Sequence, residues 1–321
     1  MNKKTIEKAK KAMEIRNLTI TFRTTAGPVH AIRGVNIDLY RGQTLAIVGE
    51  SGSGKSVTMK AAMGILDKNS KVEEGTIRYT WLQDDVTPHT VDILKMKKRE
   101  LRRSINGKHI AMIFQDPMTS LDPTMSIGKQ VMEGMLWHHQ ATREEAWDKA
   151  VRLLDEVGIP EPEKRMKNYP HQLSGGMRQR VVIAIAISCN PDLLICDEPT
   201  TALDVTIQAK ILEMIRRIQK QRGISVIYIT HDLGVVAKVA DFVNVMYAGR
   251  IVEKGTVGEI FYDPRHPYTW GLLSAMPDLT TVDDRLYTIP GSPPNLLHSV
   301  TGDAFAPRNP YALKIDRRAE P

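Results

Sequence analysis

The spacing of apolar positions divides the chain into elements. Residues 14–22 and 35–39 alternate apolar and polar side chains, the period-two pattern of half-buried strands, and Ala26-Gly27-Pro28 between them marks a turn. Residues 44–48 are an unbroken apolar run, which predicts a buried strand, and residues 57–66 read as a helix. Residues 75–81 predict another strand, and the polar stretch 83–90, rich in Asp, Thr and Pro, predicts a surface loop. Residues 110–114 predict a strand that ends at Gln115, followed by turn-rich sequence over 116–123. The period then changes: 131–137 and 143–157 place apolar residues three and four apart, as helices do. Strand pattern returns at 193–196, with a helix at 205–221 and a second buried strand at 224–229. Strand, helix, strand in this order predicts an α/β fold on a parallel sheet, with a helical insertion over about 117–188. After Gly255 the composition shifts toward Pro and Tyr. The expected division is a basic tail (1–13), a main domain (14–260) and a small extension (261–321).

Composition narrows the class. With 321 residues, 42% hydrophobic and 25% charged, the chain has the balance of a soluble globular protein with one large and one smaller domain. Its longest apolar run, 181–187, falls far short of the ~20 residues of a membrane span. Residues 1–11 are lysine-rich without an apolar segment, unlike a signal peptide. The expected location is therefore the cytosol, at a membrane only by docking to something that spans it. Cys189 and Cys196 form no C-x-x-C pair and lie in apolar sequence, which predicts buried reduced thiols rather than a disulfide or a zinc site. The net charge of +7 permits an acidic partner. The basic residues concentrate only at Lys95, Lys97, Lys98, Arg99, Arg102, Arg103 and Lys108, read as a solvated helix face because no aromatic residue interleaves them for base stacking.

The chemistry starts at Gly49-Glu50-Ser51-Gly52-Ser53-Gly54-Lys55-Ser56, which fits G-x-x-x-x-G-K-[ST] between a predicted strand and the helix opened by Val57. Glycines let successive backbone N–H groups approach a phosphate, and the positive end of the helix behind them favours the anion. Lys55 is expected to reach the β/γ-phosphates and Ser56 to ligate Mg²⁺, so the chain is read as binding a nucleoside triphosphate. Asp197 and Glu198 follow an apolar strand: Asp197 is suited to hold Mg²⁺ through water, Glu198 to orient or deprotonate the attacking water. Gln115 and His231 also end predicted strands, the first a candidate ligand of Mg²⁺ or the lytic water, the second a donor to the γ-phosphate. Leu173-Ser174-Gly175-Gly176-Met177 opens a helix and makes a second phosphate site, which one γ-phosphate in one chain does not need; it is read as completing the pocket of another subunit. Phe22 is compatible with the core and with stacking on a purine.

In combination these motifs resemble the ATP-binding cassette (ABC) ATPases over residues 14–255. Gly49 to Ser56 resembles the Walker A loop, Gln115 the Q-loop, Leu173 to Gln179 the signature, Leu193 to Glu198 Walker B, Thr201-Ala202-Leu203-Asp204 the D-loop and His231 the switch histidine. Thr201 and Met177 stand where Ser and Gln are commoner. The resemblance implies a P-loop parallel-sheet core with an N-terminal antiparallel β subdomain and a helical subdomain. It places Phe22 against adenine and counts the residues from Gly49 to Val57, with Asp204, among those that bind ATP. Two cassettes then pack head to tail, so that Ser174, Gly175 and Gly176 of one face the ATP held by Lys55 of the other.

A narrower likeness is to oligopeptide and dipeptide importers. It rests on 115–123, 169–177, Met246-Tyr247-Ala248-Gly249-Arg250-Ile251-Val252-Glu253 and the tail stretches Arg265-His266-Pro267-Tyr268-Thr269 and 289–297. It implies a second, distinct ATPase subunit, two transmembrane permease subunits contacting residues 116–126, an extracytoplasmic solute-binding protein, and a peripheral place on the cytoplasmic face of the membrane. Many relatives carry tail cysteines that hold an iron–sulfur cluster. Here that stretch reads Gly302-Asp303-Ala304-Phe305-Ala306-Pro307-Arg308-Asn309, with Asp316 at a third such position, so no iron–sulfur cluster is expected. The cargo that the resemblance implies is an oligopeptide, with dipeptide, nickel or glutathione uptake by the same machine as the alternative. Action on nucleic acid is not expected, since it usually needs two cassettes in one chain or a long coiled-coil insertion. A plain P-loop kinase would leave Ser174 to Gly176 unexplained.

Overall fold

The computed structural model describes residues 11–83, 87–200, 204–276 and 289–319. They divide into two compact units, residues 1–95 with 228–321 and residues 96–227, the division falling within strand β8 (Ser225–Thr230).

The first unit holds a four-stranded antiparallel sheet in the order β2-β1-β4-β5, from β1 (Lys11–Thr24), β2 (Gly27–Tyr40), β4 (Ser70–Gln83) and β5 (Thr87–Asp92). The first three are longer than the alternation alone predicts, because hydrogen-bond pairing carries them past the apolar core positions into solvated turns. β5 corrects the expectation of a loop over 83–90. From Thr87 onward this polar segment pairs with β4: the Thr80 and Thr90 hydroxyls are 2.9 Å apart and Trp81 stacks on His89 at 5.5 Å. An edge strand with a solvated face tolerates polar residues and a proline, so composition misled. The same unit contains β3 (Thr44–Val48), buried throughout, followed after a loop by α1 (Lys55–Ala62). β3 lies parallel to β9 (Phe242–Tyr247), which pairs antiparallel with β10 (Arg250–Thr256). Around Val48, Val245, Tyr247 and Ile260 gathers an apolar core that Tyr268 and Phe305 of the carboxyl-terminal segment complete.

The second unit carries the helical insertion. α2 (Lys98–Ser104) precedes β6 (Ile110–Ile113). After the single turn α3 (Pro117–Ser120) come α4 (Ile127–Trp137) and α5 (Arg143–Glu156), the latter opened by a reciprocal Thr142–Glu145 capping box. The short α6 (Pro162–Arg165) leads to α7 (Gly175–Ile187), β7 (Leu193–Asp197) and α8 (Val205–Arg222). α2 buries Leu101 and exposes its cations, as a solvated face should. Folding, however, supplies an aromatic neighbour that the local sequence lacks: Trp137, 64% exposed, lines one groove with Arg99, Arg102 and Arg103. Among the described residues no helix is long and apolar enough to cross a membrane.

Candidate functional site

In the first unit the loop from Gly49 to Gly54 links the buried strand β3 to α1. Two of its glycines are enforced by packing. Gly49 has φ +152°, and a Cβ there would lie 2.0 Å from the Met246 carbonyl oxygen. Gly54 has φ +104°, and its Cβ would meet Ile32 at 2.6 Å and Met246 at 2.9 Å. No L side chain fits either place, so the backbone itself forms the cradle. α1 begins at Gly54 with no side-chain cap and no acidic residue in its first turn, leaving the positive helix end for an external anion. Lys55, 5% exposed, curls over the loop: Nζ donates to the carbonyls of Gly49 (2.7 Å) and Glu50 (2.8 Å) and to Ser53 Oγ (3.4 Å). Ser51 and Gly52 are exposed at the tip, and Ser56 and Val57 are half-buried in the first turn of α1. Phe22 sits half-buried near the end of β1, paired in register with Val29 and Ser70. His231 directly follows β8 and is exposed; Asp232 beside it caps α9 (Leu233–Val239) by accepting from the Gly234 and Val235 amides at 2.8 and 3.2 Å.

In the second unit β6 and β7 run parallel, with Ile113 opposite Cys196. That register carries the next residues of both strands to one edge, where Gln115 Nε2 donates to Glu198 Oε2 at 3.0 Å. With its nitrogen so used, Gln115 keeps its amide oxygen as an acceptor. Asp197 is 4% exposed at the last position of β7. Glu198 has φ +47°, a left-handed conformation that costs a non-glycine residue about 1–2 kcal/mol. Behind them burial pushes the Cys196 thiol up, so it stays a neutral core group. Ser174, exposed, caps α7 with its Oγ accepting from Met177 N at 3.4 Å. Gly175 has open space around it, whereas a Cβ on Gly176 would approach Ile207 of α8 to 3.1 Å. Asp204 is exposed and caps α8, accepting from Ile207 N at 3.0 Å. Thr201, Ala202 and Leu203 of the D-loop expectation lie outside the described residues.

The donors assigned to Mg²⁺, the Ser56 hydroxyl, the Gln115 amide oxygen and the Asp197 carboxylate, are all hard oxygens and suit that ion chemically. In the tail, Asp303, Asn309 and Asp316 spend their side chains on local turns, accepting from Phe305 N (2.9 Å), Tyr311 N (2.9 Å) and Leu313 N (2.7 Å). Among the described residues no group of three or more His, Cys, Asp or Glu is placed to hold a metal.

Two residues at the loop carry no role in the motif reading. Arg308 places both terminal nitrogens on the Glu50 carboxylate at 2.7 and 3.0 Å, and Tyr268 Oη accepts from Glu50 N at 2.8 Å. The Glu50 carboxylate holds the Arg308 guanidinium above its ordinary value, and burial raises the Tyr268 phenol. The available signal was an acidic residue inside an anion-binding loop, which demands a cation nearby; nothing local said which cation.

Comparison with known proteins follows the same outline. The family model of the ABC transporter matches residues 32–201, and that of the oligopeptide/dipeptide transporter C-terminal region matches residues 252–315. The chain is 55% identical to the oligopeptide transport ATP-binding protein OppD of Bacillus subtilis, over 96% of this chain and 84% of that protein. It is 54% identical to the dipeptide transport ATP-binding protein DppD of Lactococcus lactis, over 97% and 86%. Among solved structures it resembles a dimeric bacterial ABC transporter cassette, with TM-score 0.65 and 25% identity over 76% of this chain and 98% of that one.

Proposed function

The chain belongs to the ABC transporter family and carries the C-terminal region of the oligopeptide/dipeptide transporters, and on that premise we propose that it is the ATP-hydrolysing subunit that energises peptide import. Its fold is the ABC ATPase cassette with that extension, and its activity is ATP hydrolysis coupled to transport. The observation that carries the reading is the loop from Gly49 to Lys55, whose glycine cradle, uncapped helix end and buried ammonium meet the needs of a triphosphate together.

The residues take the following parts. Backbone N–H groups of the loop hold the α- and β-phosphates, Lys55 turns its ammonium from the loop carbonyls to the β/γ-phosphates, and Phe22 stacks on adenine. When bound, Mg²⁺ supplies Lewis-acid neutralisation of the phosphate oxygens; Ser56, Gln115 and Asp197 would hold it. Glu198 takes a proton from the water that attacks the γ-phosphorus, and the bond to the β,γ-bridging oxygen breaks to leave ADP and phosphate. Gln115 holds the Glu198 carboxylate in place, and His231 donates to the γ-phosphate. Ser174, Gly175 and Gly176 close on the ATP of a second, related cassette, and Asp204 belongs to the nucleotide-binding residues. Residues 116–126 meet the two permease subunits, which holds the chain peripherally on the cytoplasmic face of the membrane, and a solute-binding protein delivers the peptide from outside.

The test is Glu198→Gln. It keeps the shape of the side chain and removes the base, so turnover should fall by roughly 10²–10⁴ while ATP still binds. Steady-state phosphate release at wild-type rate by this variant would refute the assignment, and purification of the native complex without hydrophobic subunits would refute the transport role.

A further inference from the structure

Glu50 has no unsatisfied polar group. Its amide donates to Tyr268, its carbonyl accepts from Lys55, and its carboxylate is gripped by Arg308. The Arg308 fork is equally complete. Nε donates to the Pro290 carbonyl at 2.8 Å, and beyond the two bonds to Glu50 the terminal nitrogens reach Tyr247 Oη and the Ile289 carbonyl, both at 3.3 Å. Five N–H groups thus find five acceptors, a geometry that only a planar guanidinium provides. The fork is 7% exposed and lies over the Tyr247 ring (5.8 Å), in the aromatic cluster where Tyr268 packs 5.4 Å from Phe305. Tyr268, Ile289, Pro290 and Arg308 all come from the carboxyl-terminal extension, and each of these contacts leads to the second residue of the phosphate loop.

A carboxylate inside an anion-binding loop works against its ligand. Unit charges several ångströms apart still interact by more than a kcal/mol at the effective dielectric of a protein surface. Resting on the reading that this loop takes the phosphates of ATP, we propose that Arg308 and Tyr268 are positioning residues for nucleotide binding: Tyr268 fixes the loop backbone at Glu50, and Arg308 cancels the charge that Glu50 would otherwise turn on the triphosphate. The extension thereby sets the affinity of the cassette for ATP.

The test measures ATP binding and steady-state hydrolysis on the full chain, with Lys55→Ala as the control for the loop itself. Arg308→Met removes the charge and should raise the Kd and KM for ATP about tenfold, the scale of one uncompensated charge, with kcat changed by less than about twofold. Adding Glu50→Gln to Arg308→Met removes the charge that needed cancelling and should recover most of the affinity. Loss of mere packing would not be repaired in this way. Tyr268→Phe keeps the ring in its cluster and loses the hydroxyl that accepts from the Glu50 amide; it should raise Kd about threefold, and it serves as the folded variant if Arg308→Met proves unstable. Wild-type affinity in Arg308→Met, or a double variant no tighter than the single, overturns the electrostatic part, and unchanged affinity in Tyr268→Phe overturns the backbone part. If the wild-type chain itself fails to bind ATP, or binds it no better than Lys55→Ala, the underlying reading of the loop fails instead.

Discussion

Two helices of this chain begin at a serine–glycine run, and the structure builds the two beginnings differently. At α1, Gly49 and Gly54 are pressed against Met246 and Ile32, Lys55 is buried over the loop carbonyls, and the extension holds Glu50 through Tyr268 and Arg308. No side chain of the loop caps that helix. At α7, Ser174 caps its own helix, Ser174 and Gly175 are exposed, and only Gly176 is constrained, by Ile207. The first beginning is shaped from within the chain, so its conformation exists before any ligand arrives. The second spends its own hydroxyl on the cap and presents its surface outward, which suits a group whose task is to meet another subunit. Similar residues therefore give a preorganised cradle in one place and a docking face in the other, and the difference lies in what is packed behind each.

The contrast can be broken most severely at Gly49. Gly49→Ala combines a forbidden φ with a backbone oxygen 2.0 Å from the new Cβ, and should cost about 2–3 kcal/mol of stability and remove measurable ATP binding. Thermal unfolding and nucleotide titration of one preparation check both, and a variant that melts and binds as the wild type does would show that the cradle is not enforced. A smaller effect is expected at Ser174. Loss of its 3.4 Å cap bond in Ser174→Ala should lower stability by about 0.5–1 kcal/mol and leave ATP binding by the isolated chain unchanged, while ATPase activity of the assembled complex falls. Equal loss of binding in the isolated chain would place Ser174 in the wrong pocket. The smallest effect belongs to Gly175→Ala. Open space surrounds the new methyl, so stability should stay the same or rise by up to about 1 kcal/mol through helix propensity. Any large drop in melting temperature there would contradict an outward-facing turn.

Much of this was legible along the chain. The apolar run 44–48, the glycine–lysine loop and the Asp197-Glu198 pair each declare themselves through neighbours within a few positions, and the structure forms β3, α1 and β7 at those places. The segment after Thr87 hides its strand character in a polar composition, because an edge strand needs no apolar alternation when its pairing partner supplies the order. No aromatic residue interleaves the cations near Lys98 in sequence, and Trp137, which lines the same groove, lies some three dozen residues further along. The hydrogen bond between Gln115 and Glu198 joins residues 83 positions apart and depends on the parallel register of β6 and β7.

The sequence by itself determined the class of chemistry, because a phosphate loop, a carboxylate pair at a strand end and a serine–glycine helix start are local patterns whose physical meaning lies in adjacent residues. Only the tertiary structure decided that Glu50 is neutralised, since its partner Arg308 stands 258 positions away. A contact at that range follows from the course of every intervening strand and helix, and spacing along the chain carries no record of it.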